Sequence, residues 1–375
     1  MTMKLHLTQD ALSGKTSSAA QFVSAFMAEG APHHMTNVVS LMGLLETADG
    51  RDIPFTVDDG DYGHSYVSSP HSAYVLYAEE EMDIVGMTKG RTFAKIALSV
   101  LDKILRGARI NRAIHIDNWL LSTNLHGNWR GEYLADIRAT LTDAYPDHFL
   151  ILRTLDDWSC PRLMEAARSD NWVFLPARQI WVVEDMEADW WPRNSSQNDR
   201  RKLQQSGLTI EDLTEISDTD AERIAELYAM LYIGRYSALN PVFTAAFIQL
   251  LLSTGTAEYR VVRDQTGTIL AVAGMISRNG IMTPPVVGYD TGRPQSEGLY
   301  RIASYLFSER AMDQKLRLHS SAGAADFKRN RGAIPKIEYM AVYSKHLSAP
   351  RRLAIDALSK ALETWIVPMM QKKGW

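Results

Sequence analysis

Apolar residues recur along the chain with two different periods. From 36 to 67 short apolar runs alternate with turn sequences, ADGRD at 48–52 and DDGDYG at 58–63, which predicts a meander of antiparallel strands. The spacing then lengthens to that of a helix. In FAKIALSVLDKIL, Phe93, Ile96, Ala97, Val100, Leu101, Ile104 and Leu105 fall on one stripe. A strand at 112–117, a helix at 131–145, a strand at 148–155, a helix near 160–169 and a pair of strands across 172–185 make the first half an α/β unit with a mixed sheet.

Composition changes abruptly at 186–203, from aromatic to polar and basic, and marks a junction between two domains, 1–190 and 191–375. Beyond it the pattern predicts helices at 195–206, 218–236 and 241–253, then strands at 258–264, 268–278 and 283–290 with turns at QTG and RNG. A helix at 295–314, a short strand at 316–320, a basic loop and a strand at 336–343 follow. The order of elements is alike in the two halves, so one fold is expected twice. The last segment repeats an apolar pair every four positions, from Leu353 and Ala354 through Ala357 and Leu358, Ala361 and Leu362, and Trp365 and Ile366 to Met369 and Met370. It reads as a helix packed on the sheet or the other domain, with a homodimer contact as the alternative.

At 375 residues, 46% hydrophobic and 22% charged, with no stretch near the roughly 20 apolar residues of a bilayer span, the chain reads as a soluble two-domain protein without a membrane partner. The first residues lack the apolar run of a signal peptide and Cys160 stands alone, so a reducing, cytoplasmic compartment is expected. Charge divides unevenly. Residues 1–190 carry 16 Lys+Arg against 26 Asp+Glu, and residues 191–375 carry 24 against 18. A basic second half suits an anionic ligand such as a phosphate, a pyrophosphate or a tRNA backbone.

Several motifs are excluded. SGKTSS at 13–18 lacks the leading glycine and strand of a P-loop, no histidine falls into a metal-ligand spacing, and there is no GxSxG, so neither a metal centre nor a serine hydrolase is expected. The segment HSSAGAADFKRNRGA, 319–333, is more informative. Its small residues, Ser321 among them, let backbone approach a ligand, and Lys328 with Arg331 suits a phosphate or carboxylate.

The order of pieces in the second half carries a resemblance. NDRRKLQQSG at 198–207, ELYAMLYIGRY ending near Arg235, a three-strand meander ending in GYD at 288–290, a helix opened by PQSEGL and the loop at 319–333 together resemble the GNAT superfamily, in the branch that includes the Fem-type aminoacyltransferases and related duplicated-GNAT N-acyltransferases. The resemblance covers 195–345 by motif and the first half by its pattern of elements. It implies an α/β fold of two tandem GNAT-like domains, each a mixed, largely antiparallel twisted sheet flanked by helices, with acyl transfer in the second domain and an acceptor-binding or structural role for the first. Arg200, Arg201, Lys202 and Gly207 look like the basic helix of that branch, Asp290 like the aspartate that closes its central strand, and Phe327, Lys328 and Gly332 like its cleft-closing segment. His319 stands where relatives often carry an acid. The resemblance also implies a split between two parallel strands for the acyl donor and a helix start for its phosphates, near Pro294 to Gly298; only Arg293, Gln295 and Gly298 stand where a richer donor loop is usual.

The chemistry so implied is attack of an amine on a thioester or ester, which needs a base and an oxyanion donor. Asp290 is the first candidate base, His319 the second, and Tyr289 a donor to the oxyanion or leaving group; Asp290 capping the turn at DTGRP is the structural alternative. Arg235, Ser321, Phe327, Lys328 and Arg331 are the expected substrate contacts. The expected cosubstrate is an acyl-CoA or carrier-protein thioester, with no tightly bound cofactor, a small-molecule amine as acceptor and no DNA partner. A tRNA-dependent aminoacyltransferase and a non-catalytic GNAT-fold binding protein are the alternatives.

Overall fold

The computed structural model describes residues 3–84, 88 and 90–373. Its strands are, in chain order, β1 (Lys4–His6), β2 (Leu41–Glu46), β3 (Asp52–Asp59), β4 (Arg112–Ile116), β5 (Phe149–Leu155), β6 (Val173–Val183), β7 (Thr209–Leu213), β8 (Glu258–Arg263), β9 (Ile269–Arg278), β10 (Ile281–Tyr289), β11 (Arg317–Ala322) and β12 (Ile334–Tyr343). The chain forms two compact units. The first comprises Met1–Ala177, Ser237–Pro241 and Ile337–Lys372, the second Arg178–Tyr236, Val242–Lys336 and Lys373–Trp375.

In the first unit β1, β2, β3 and β4 are antiparallel neighbours in that order, β4 and β5 run parallel, and β5 pairs antiparallel with β12. In the second, β7, β8, β9 and β10 are antiparallel neighbours, β10 and β11 run parallel, and β11 pairs antiparallel with β6. The two topologies are the same, so the fold is duplicated, as the element order implies. Each unit takes its last strand from the other half of the sequence. Backbone hydrogen bonds, not chain position, decide which sheet a strand completes, and for this reason the units depart from contiguous blocks of 1–190 and 191–375: residues 337–372 cluster with the first and 178–190 with the second.

Local sequence explains these elements. Asn279 and Gly280, both at positive φ, close the two-residue hairpin between β9 and β10 in the sense that matches strand twist. The helix Asp218–Arg235 begins at Ser217, whose hydroxyl accepts the Asp220 N–H, with Asp218 and Asp220 in its first turn. It presses on β10 at Gly288, where a Cβ would lie 2.5 Å from backbone atoms of Leu227 and Tyr228. β5 is buried along its whole length. Leu150 and Leu152 face one core of the first unit, and Phe149 and Ile151 the other. In the second unit Ala271, Ala273, Met282, Val287 and Leu318 pack with Ile302, Ala303 and Leu306 of the helix Leu299–Asp313.

Several expectations are corrected. Residues 172–185 hold one continuous strand, β6, which accommodates Pro176, rather than a pair. The meander at 36–67 is the hairpin β2–β3, and 60–67 form no strand. The helix expected from 241 starts at Ala245, where Thr244 caps it. The helix expected from 295 is a turn, Gln295–Glu297, followed by Gly298 at φ +71° and then Leu299–Asp313. β1, the helix Ser18–Glu29 and β7 were not anticipated.

The stripe on the helix Arg91–Gly107 is only half used. Leu105 is buried, but Phe93, Ile96, Val100 and Ile104 are 79, 59, 52 and 45% exposed, because one side of the helix meets the body of the unit. In the C-terminal helical segment (Ala349–Ala361, Leu362–Ile366, Val367–Lys373) Ala354, Ile355 and Leu358 are buried while Leu353 and Trp365 are exposed, so the four-residue repeat is not one buried stripe.

Candidate active site

The second unit has an opening in its sheet. β10 and β11 pair only at Ile281–Arg317 and Met282–Leu318, and part beyond. Two features of sequence hold them apart. β10 carries Pro284 and Pro285, which lack N–H groups, and its register against β9 shifts between Thr283 and Val286. β11 bulges against β6, where Ser320 and Ser321 together face Trp181, and Ser321 adopts φ +59°.

The bulge is fastened from behind. Lys328 Nζ donates to the carbonyls of Ser320 (2.6 Å), Ser321 (3.2 Å) and Ala322 (2.7 Å). Burial, with Arg178 nearby, pushes this ammonium down to about 7, while the three carbonyls hold its charged form. His319, buried at the foot of the opening, accepts the Ser321 N–H on Nδ1 at 3.1 Å, which leaves Nε2 as the protonated nitrogen of its neutral ring. The helix Ala325–Arg329 follows, and at Gly332, φ +86°, a Cβ would strike the carbonyl of Asp189.

An aromatic line runs along one side. Tyr289, Tyr300 and Phe327 follow one another with ring centroids 5.8 and 4.7 Å apart. Arg235 Nη1 donates to Tyr289 Oη at 2.7 Å, so the tyrosine's own proton is directed elsewhere. Burial raises the Tyr300 hydroxyl, which is held neutral. At the far end the Arg331 guanidinium lies 3.4 Å from the Phe327 ring centroid. Its Nε and Nη2 are 2.7 and 2.6 Å from Oδ2 of Asp199, whose Oδ1 accepts from Arg301 Nε at 2.6 Å.

A third group surrounds the start of the helix Leu299–Asp313. Its first helical hydrogen bond runs from Ile302 N–H to Gly298 O, so the amides of Leu299, Tyr300 and Arg301 have no partner within the helix. The Lys202 stem lies against Gly298, where a Cβ would meet its Cε at 3.0 Å. Arg293 pairs with Glu297 at 2.9 Å and Gln295 is exposed in the same turn. Asp290 accepts from Arg223 Nη2 at 2.8 Å and from the Gly292 N–H at 2.9 Å, the capping role that was the alternative for it.

The structure thus gathers Arg235, Tyr289, Phe327 and Arg331 along one line and Arg293, Gln295 and Gly298 at one helix start. Asp290 and His319 are not brought together. His319 is level with Thr283, and Asp290 lies seven residues on, just past the end of β10, roughly 20 Å for extended backbone. Lys328 and Arg331 are committed to backbone carbonyls and to Asp199 rather than open to a ligand. Tyr300 and the Asp199–Arg301–Arg331 triad were not anticipated, because their partners lie up to 132 residues apart; Lys202 was read only as part of a basic run.

The corresponding place in the first unit is filled by its own chain. β4 and β5 stay paired over four residues, Ala113–Ile116 with Phe149–Leu152, and the segment after β4 folds inward, burying Trp119, Leu120, Leu121 and Leu125. Asp117 accepts from Trp119 Nε1 at 2.9 Å and contacts His126 Nδ1 at 2.8 Å, and Thr154 Oγ1 donates to Asn124 O at 2.8 Å. β5 carries the same bulge as β11. Arg153 and Thr154 face one residue of β12, and Thr154 has φ +56°.

No family model matches the chain and no curated protein matches it. Solved structures similar to it include L-PGS from Bacillus licheniformis, at 14% identity over 60% of this chain and 76% of that one with a TM-score of 0.43, and FemX, at 8% over 57% and 76% with a TM-score of 0.44. A tandem GNAT protein from the clavulanic acid biosynthesis pathway is similar over 91% of this chain and 98% of its own, at 11% identity and a TM-score of 0.41.

Proposed function

We propose that the chain is an N-acyltransferase of the GNAT type that moves an acyl group from a thioester, acyl-CoA or a carrier-protein thioester, to an amine. The observation that carries this reading is the parting of β10 and β11 after Met282 and Leu318. An extended acyl arm fits there against unpaired backbone. Phosphates of the donor fit the free amides at Leu299–Arg301, with Lys202 and Arg293 as counter-charges.

In the reaction the amine nitrogen attacks the thioester carbon, the carbon–sulfur bond breaks, and the proton lost by nitrogen ends on sulfur. Tyr289, whose oxygen already accepts from Arg235, is the donor this reading assigns to the oxyanion or the departing sulfur. Asp290, tied to Arg223, is set aside as the base; the amine enters neutral or loses its proton to water. The test is thiol release from acyl-CoAs of increasing chain length in the presence of a panel of small amines. Amine-dependent release, reduced in Tyr289→Phe, supports the reading. Release absent with every acyl-CoA and every acyl carrier thioester counts against it.

A further inference from the structure

The helix Arg91–Gly107 has no counterpart in the second unit. It lies between β3 and β4, where the second unit has only the hairpin at Asn279–Gly280. It spans 17 residues, roughly 25 Å. Phe93, Ile96, Val100 and Ile104 form a line along its outward side, 79, 59, 52 and 45% exposed, although large apolar side chains are ordinarily exposed singly. At 100° per residue Arg91, Lys95, Lys103 and Arg106 fall together on one flank of that line. The helix's one acid, Asp102, falls on the same flank between Arg91 and Lys95, lies 2.6 Å from buried His71 and accepts from Arg106. From 91 to 109 the segment carries five Lys or Arg against that single Asp.

We propose that this helix docks the protein onto an anionic lipid surface, its apolar line entering the headgroup boundary and its cationic flank facing lipid phosphates. An outward ridge of Phe, Ile and Val beside Lys and Arg is the arrangement of a helix that lies in a bilayer interface. The net positive charge of 91–109 is complementary to such a surface, although Lys95 pairs with Glu79 of the neighbouring helix at 3.7 Å and the first half of the chain is acidic overall. Antiparallel pairing of two copies through the same line would instead bring each cationic flank against its own copy, a repulsive contact. No helix among the described residues is long and apolar enough to cross a membrane, so the contact is peripheral. This departs from the expectation of no membrane partner.

The experiment is co-sedimentation of the full chain with vesicles of equal parts phosphatidylglycerol and phosphatidylcholine, and with vesicles of phosphatidylcholine alone. The expected result is binding to the anionic vesicles, weakened by salt, and reduced about tenfold or more both in Phe93→Ser/Val100→Ser and in Lys95→Glu/Lys103→Glu. Unfolding curves check that both variants, altered only at exposed positions, keep the parent's midpoint. Absence of binding to anionic vesicles, or binding that neither variant weakens, overturns the proposal. So does a concentration-dependent dimer, seen by light scattering, that Phe93→Ser/Val100→Ser abolishes, since the line would then belong to a second copy.

Discussion

Asp199 Oδ2 receives both Nε and Nη2 of Arg331, at 2.7 and 2.6 Å, and Asp199 is only 2% exposed. The pair fixes the basic loop to the helix Asn194–Gln205 and holds Arg331 over Phe327. Burial lowers the Arg331 guanidinium from its ordinary range, and Asp199 is the partner that offsets the cost of burying its charge. Removing Asp199 with Asp199→Ala strands a buried cation and is expected to cost about 3–5 kcal/mol in urea unfolding, more than Arg331→Ala, after which Asp199 keeps Arg301. Asp199→Leu/Arg331→Met together should recover much of that loss.

Lys328 gives a pH signature. Its ordinary value is 10.5 and burial brings it to about 7 in the fold, so between these values the unfolded chain holds the extra proton. Stability from this group is therefore complete above pH 10.5, declines as pH falls toward about 7, and is lowest below it. The parent should gain stability relative to Lys328→Met as pH is raised from about 7 to 10, as read from urea midpoints. Equal pH dependence in the two proteins would mean that the three carbonyls keep the ammonium's affinity for its proton ordinary.

Gly288 is expected to be intolerant. A Cβ there meets backbone of Leu227 and Tyr228 at 2.5 Å, and backbone in a packed helix cannot swing aside. Gly288→Ala should destabilise by about 1–3 kcal/mol and also weaken donor binding, because the helix Asp218–Arg235 supports β10 beside the opening. Gly267→Ala serves as a control: its added Cβ meets nothing within 4 Å, and only the positive φ is strained.

Much of this architecture is legible in the sequence. Alternation and the turn pairs mark β8, β9 and β10, and the Ser217 cap marks the helix that follows it. β7 is not legible in the sequence, because TIEDL is an edge strand with four exposed residues and no apolar alternation. The helix Ser18–Glu29 is marked in the sequence by Ser17 and Gly30, a cap at each end. Periodicity placed Phe93, Ile96, Val100 and Ile104 on a helix, but it cannot tell a buried stripe from an exposed one. The active-site reading failed where chemistry depends on distant partners. Asp290 and His319 carry suitable groups, yet strand register separates them, while Tyr300 is brought between Tyr289 and Phe327 only by the packing of its helix.

Tyr289 should matter to turnover more than to binding. Tyr289→Phe removes the hydroxyl that accepts from Arg235 and retains the ring packed against Tyr300. The expected result is a fall in kcat of about 10- to 1000-fold with KM for the thioester little changed, since an oxyanion or leaving-group donor acts mainly in the transition state. An unchanged kcat would remove Tyr289 from the chemistry.

The most direct test of thioester binding at the opening between β10 and β11 is thermal unfolding of the full chain with acetyl-CoA, longer acyl-CoAs, free CoA and deacylated tRNA, because a ligand that binds only the folded state raises the midpoint. A rise with acyl-CoA that is lost in Lys202→Glu, while Lys345→Glu retains it, is the expected result. A rise with tRNA alone, or an acyl-CoA effect indifferent to Lys202→Glu, would contradict it.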